Sequence, residues 1–141
     1  MVDEDLVYEK IKNIQNCLKR IRDVTQLDPK SLDDLDTQDI FALNLQRAVQ
    51  SSLDLALHVV ASEGLGLPES LKENFMLLGK AKILSKKETE RMVKMVGFRD
   101  IAVHEYQILN VKVLKSILRH NLNDLEEFYS TILLHFDLSD S

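Results

Sequence analysis

The sequence predicts an all-α fold, an antiparallel bundle of four long helices plus one short one. Three observations carry that reading. Four glycines and two prolines in 141 residues are too few for an all-β chain, which spends turn residues at every strand end. Apolar residues recur at three- and four-residue steps over long stretches, the spacing of one helical face. Two Ser-x-x-Glu boxes, Ser70 with Glu73 and Ser85 with Glu88, mark places where helices begin.

The first helix is expected from about Asp3 to Leu27, with Ile11, Ile14, Leu18 and Ile21 on one stripe and Pro29 closing it. The acidic run DPKSLDDLD reads as a loop. Thr37 is the expected N-cap of a second helix, Gln38 to about Glu63. Ile40, Leu43, Leu45, Val49, Leu53, Leu57 and Val60 surround that helix, so it is either central in the bundle or shared between core and subunit interface. The interface reading is preferred. GLGLPES breaks the pattern, and the Ser70 box opens a short helix that Gly79 ends. The Ser85 box starts a fourth helix, which runs through Arg91, Met92, Val93, Met95 and Val96 into GFRDIAVHEY. After Asn110 comes a long fifth helix, its stripe formed by Leu118, Leu122, Leu125, Tyr129, Ile132 and Phe136.

Nothing in composition divides the chain, so residues 1–141 are read as one domain, long enough to bury a core without disulfide or metal. Cys17, the lone cysteine, suits a reducing compartment. The acidic start MVDEDLVYEK differs from a signal peptide and no apolar run is long enough to span a bilayer, so a cytoplasmic location without membrane contact is expected. A formal charge of -5 speaks against a protein that coats nucleic acid non-specifically, so any RNA contact must be local.

The chain has no Gly-rich phosphate loop, no nucleophile elbow, no His-Glu-x-x-His and no paired cysteines, and neither metal nor cofactor is expected. Of its histidines, His58 reads as a core or interface residue, and His120 and His135 as surface or packing residues. His104 keeps different company, because Arg99, Asp100, His104 and Tyr106 set a fixed cation, a carboxylate, an imidazole and a phenol close together. On a helix Asp100 and His104 stand about 40° apart, so the carboxylate can orient the ring. Arg99 stands about 140° from His104, so the two meet on one phosphate only through a bend, a long reach or a symmetry-related copy. A histidine moves protons near neutral pH, and an arginine fork binds phosphate and steadies charge on five-coordinate phosphorus. RNA brings its own nucleophile, the 2′-hydroxyl. Between residues 80 and 99, seven cations (Lys80, Lys82, Lys86, Lys87, Arg91, Lys94 and Arg99) face only Glu88 and Glu90, so they are candidate RNA-binding residues; a solvated helix face is the plain alternative.

LNLQRAVQSSLDLALHVV, GLGLPES and MVGFRDIAVHEY, in that order over nearly the whole chain, resemble the HepT-like toxins of the HEPN superfamily. The resemblance includes the family's pattern of Arg, four residues, His, any residue, Tyr, here Arg99, His104 and Tyr106. It implies a five-helix HEPN-like bundle that forms a homodimer, with the Arg and His of both subunits meeting in a cleft. It implies a metal-independent endoribonuclease, the toxin of a type II toxin-antitoxin system, neutralised by an MNT-type nucleotidyltransferase antitoxin that adenylylates the motif tyrosine. Carried across, Arg99 stabilises the scissile phosphate, His104 is general base or acid, Asp100 orients the site and Tyr106 is the modified switch. A non-catalytic helical binding subunit of a nucleotidyltransferase complex is the alternative.

Overall fold

The computed structural model describes residues 2–104 and 111–139, with the backbone alone for 101–104. All regular structure among them is helical: α1 (Glu4–Thr25), a 3₁₀ turn (Pro29–Asp33), α2 (Leu35–Ser62), α3 (Leu71–Lys80), α4 (Lys86–His104), α5 (Val111–His120) and α6 (Leu122–His135).

The Asp3 carboxylate caps α1 by accepting from the Leu6 N–H at 3.2 Å. The helix stops at Thr25, earlier than expected, because Gln26 and Leu27 both turn into the left-handed region (φ 52° and 59°) and the Gln26 N–H closes back on the Arg22 carbonyl. Pro29 therefore ends nothing. It occupies the first turn of the 3₁₀ segment, where its missing N–H costs least, and the supposed loop is this turn, with Leu32 fully buried beneath it.

The cap of α2 is Asp34 rather than Thr37. The Asp34 carboxylate accepts from both the N–H and the hydroxyl of Thr37 at 3.0 Å, and a carboxylate at the positive end of a helix is a better acceptor than the threonine hydroxyl three residues later. α2 touches every other helix and the 3₁₀ turn, so it is the central helix of the bundle, and its apolar residues on several sides follow from that position. Leu43 and Leu57 nonetheless stay about half exposed.

The Ser85 capping box forms in full and the Ser70 box in half. Ser85 and Glu88 satisfy each other's N–H at 3.0 and 3.1 Å, whereas in the other box Ser70 accepts from the Glu73 N–H at 3.3 Å and the Glu73 carboxylate reaches Glu69. Gly79 does not end α3, which continues to Lys80. Its role lies in helix crossing: a Cβ there would stand 2.4 Å from Thr89 Oγ1, so α3 and α4 cross at a spacing only a hydrogen allows.

The expected fifth helix is two helices. Asn121 interrupts it between α5 and α6, with its side-chain amide donating to Asp124. The stripe survives the break: Leu118, Leu122, Leu125, Tyr129 and Ile132 are all buried, and Phe136 is partly buried against them.

Cross-links give the directions. The start of α1 meets the end of α2 (Asp3 N–H to His58 Nε2, 2.9 Å; Lys10 to Asp54, 3.3 Å), and α4 runs against α6 (Arg91 to Glu127, 2.7 Å; Glu88 to Thr131). Both pairs are antiparallel. Phe75 and Phe128 meet edge-to-face at 5.3 Å in the core between α3 and α6.

Candidate functional site

The motif sits on the last turns of α4. That helix is continuous from Lys86 to His104, so Arg99 and His104 keep their helical spacing on its last turns. Their backbone positions differ by about 7.5 Å along the axis and about 140° around it, while Asp100 and His104 are one turn apart. The His104 side chain and all of Tyr106 lie outside the described residues.

Arg99 is held from two sides. Its Nη2 donates to Gln50 Oε1 on α2 at 3.1 Å, and its Nη1 lies 3.4 Å from Asp100 Oδ1. The arginine side chain is 21% exposed against 49% for the aspartate, so Arg99 is the more covered of the two. Asp100, expected to orient the imidazole, thus has a described contact with the arginine.

The hold on Arg99 extends back across the bundle. Gln50 Nε2 donates to Asp54 Oδ1 one turn along α2 at 2.9 Å, and Asp54 Oδ2 pairs with Lys10 of α1 at 3.3 Å. The chain Lys10, Asp54, Gln50, Arg99 therefore joins three helices. It also settles the Gln50 amide, whose nitrogen turns to a carboxylate and whose oxygen turns to a guanidinium. Sequence reading missed Lys10, Gln50 and Asp54. The available signal was a Gln and an Asp four residues apart, the spacing of a helical side-chain hydrogen bond, within a helix otherwise mostly apolar.

Beside this chain lies a groove of about 390 Å³ between α1 and α2, which also takes in Asn13, Asn16 and Arg47. On its floor burial pushes the Cys17 thiol up, and the Arg47 charge draws it partly back.

The cationic run does not gather at Arg99. Lys80, Lys82 and Lys86 border a different groove at the α3–α4 corner, with Met76, Leu84 and Thr89, and Lys86 is about 20 Å from Arg99 along the helix. Lys87 lies on that same first turn of α4. Arg91 is committed to α6, donating to Glu127 at 2.7 Å with Asp124 at 3.9 Å. Lys94 rests over the Phe98 ring, 5.7 Å from its centroid. Near the start of the same helix, burial pushes the Glu88 carboxyl up, but hydrogen bonds from Thr131 and Ser85 and the charge of Arg91 outweigh it and hold the group below the usual carboxylate range.

Elsewhere His58 accepts a hydrogen bond from the Asp3 N–H, His135 pairs with Glu63 at 2.6 Å, and His120 is exposed at the end of α5. Among the described residues no group of three or more His, Cys, Asp or Glu side chains is placed to hold a metal ion, and no helix is long and apolar enough to cross a membrane.

The sequence profile of the ribonuclease HepT-like family matches residues 14–132. An mRNA nuclease HepT from Shewanella oneidensis is 36% identical over 128 residues, which cover 91% of this chain and 96% of the relative. Among solved structures, a tri-AMPylated HEPN toxin from Shewanella oneidensis in complex with an MNT antitoxin superposes with a TM-score of 0.87 at 36% identity, over 92% of this chain and 98% of the toxin. A toxin-antitoxin crystal structure with AMP-PNP gives a TM-score of 0.87 at 35% identity, with the same coverage.

Proposed function

This chain belongs to the ribonuclease HepT-like family, and from that premise we propose that it is a metal-independent endoribonuclease, the toxin half of a toxin-antitoxin pair. The observation that carries the proposal is Arg99, a guanidinium fixed by Gln50 and Asp100 on the helix that ends at His104. A cation held in place before substrate arrives stabilises charge developing on phosphorus without reorganising at the moment of reaction. Arg99 binds the scissile phosphate, and His104 acts as general base or acid while the 2′-hydroxyl attacks and the 5′-oxygen leaves. Asp100 orients the site.

Helical spacing on the continuous α4 sets Arg99 and His104 of one chain on different sides of the helix, which supports a homodimer in which two copies of the motif complete one cleft. The half-exposed Leu43 and Leu57 on α2 are apolar surface available to such a contact. Residues 1–141 act as one domain in the cytoplasm.

The partner is an MNT-type nucleotidyltransferase, as for the Shewanella oneidensis toxin, and Tyr106 is the residue it adenylylates. Added nucleotide brings bulk and negative phosphate two residues beyond His104, where it competes with RNA for the same cations. Lys80 and Lys82 before α4, and Lys86, Lys87 and Lys94 on it, contribute at most a diffuse attraction, and Arg91 ties α4 to α6.

Purified wild type is expected to cut single-stranded RNA in EDTA, with His104→Ala inactive and no longer arresting growth when expressed without its partner. Equal growth arrest by both forms, or no cleavage by wild type, overturns the proposal. In the latter case a non-catalytic binding subunit of the nucleotidyltransferase becomes the better account.

A further inference from the structure

We propose that the groove between α1 and α2 is a binding subsite for the RNA strand flanking the cut, an inference that rests on the ribonuclease reading above. The groove adjoins the site physically, because Gln50 lines it and accepts the hydrogen bond from Arg99. A strand whose scissile phosphate meets Arg99 has its neighbouring nucleotides beside this groove.

Its chemistry suits that occupant. Arg47 is exposed and has no carboxylate partner among the described residues, so its fork is available to a phosphate. Lys10 neutralises Asp54, the one carboxylate among the groove residues, so the balance is positive in a chain whose formal charge is -5. Asn13 and Asn16 are exposed on one face of α1, and amide groups that both donate and accept match ribose hydroxyls and base edges. The geometry is regular as well. Lys10, Asn13 and Asn16 descend α1 while Asp54, Gln50 and Arg47 ascend the antiparallel α2, giving a trough of roughly 10 Å, long enough for a short stretch of single strand. The Lys10–Asp54–Gln50 chain ties the two walls together before RNA arrives.

The test uses the full-length chain carrying His104→Ala, so that RNA is bound and left whole, and reads anisotropy of a labelled single-stranded RNA across a salt series. Arg47→Ala is expected to weaken binding and to make the slope of log affinity against log salt shallower by about 0.7, the loss of one phosphate contact. Asn13→Ala with Asn16→Ala is expected to weaken binding several-fold at unchanged slope, since amides release no counterions. Lys72→Ala, an exposed cation on α3 outside the groove, is the matched control. Light scattering on each variant reports assembly. Groove variants that bind like the Lys72→Ala control overturn the subsite while leaving the ribonuclease reading intact. Variants that lose affinity only because the oligomer dissociates also overturn it, assigning the groove to a second copy of the chain. Wild type that neither binds nor cuts RNA removes both.

Discussion

Replacing Arg99 by lysine tests whether the site needs a fork or merely a positive charge. Arg99 spans two acceptors on different elements, Gln50 Oε1 at 3.1 Å and Asp100 Oδ1 at 3.4 Å, with its remaining donors left for phosphate. An ammonium keeps the charge but is a point donor on a flexible stem, so it cannot hold both acceptors and still present a fixed pair of donors. Ground-state attraction to RNA depends mainly on charge, so KM is expected to stay within about threefold of wild type. The loss falls on the transition state. One hydrogen bond to a charged group is worth about 1.5–3 kcal/mol, which at about 1.4 kcal/mol per tenfold is a drop of roughly 10- to 150-fold in kcat. Cleavage of a defined RNA over a range of concentrations separates the two constants, and a urea melt checks that the bundle is intact. A lysine variant that cuts at the wild-type rate refutes the idea that guanidinium geometry matters here.

Light scattering at micromolar concentration is expected to give twice the 16.2 kDa chain mass; a single-chain mass leaves the composite cleft without a basis. Gly79→Ala is expected to destabilise by about 1–3 kcal/mol although alanine is the better helix former, because the new methyl meets Thr89 Oγ1, which cannot swing away without losing its bond to the Ser85 carbonyl. Adding Thr89→Ala should recover most of that loss in urea melts, and no recovery contradicts the close-crossing argument. The Glu88 carboxyl is held low by its hydrogen bonds, so it stabilises the folded state above the ordinary carboxylate value of 4.5, and that contribution fades as pH falls through the depressed folded value. Glu88→Gln should therefore lower Tm at pH 7 and flatten the fall of Tm on acidification; an unchanged acid profile contradicts the assignment.

The sequence made readable what depends on neighbours along the chain. The stripe from Leu118 to Ile132, the Ser85–Glu88 box and the start of α3 at Ser70 are local patterns, and each appears in the structure. Competition between nearby candidates was harder to read. Asp34 and Thr37 are both good caps, and the choice turned on which oxygen reached the free N–H groups. Asn121 is tolerated inside a helix often enough that its spacing gave no sign of the break. At the site, Arg99 stood out through its company in the chain. Its partner Gln50 lies 49 residues away, and only the crossing of α2 and α4 brings the two together. The cationic run shows the same limit from the other side: close together in sequence, it spreads from the end of α3 along the 19 residues of α4 and yields Arg91 to α6.

The most direct test of the central claim follows a single phosphodiester. Wild type is given, in EDTA, an RNA cut at one known position and the same RNA with that one ribose replaced by 2′-deoxyribose. Attack by the neighbouring hydroxyl, with Arg99 on the phosphate and His104 moving the proton, predicts a 2′,3′-cyclic phosphate from the first and no cut at that position in the second. Cleavage of the deoxy-substituted strand at an equal rate, or products that appear only when a divalent cation is restored, would contradict it.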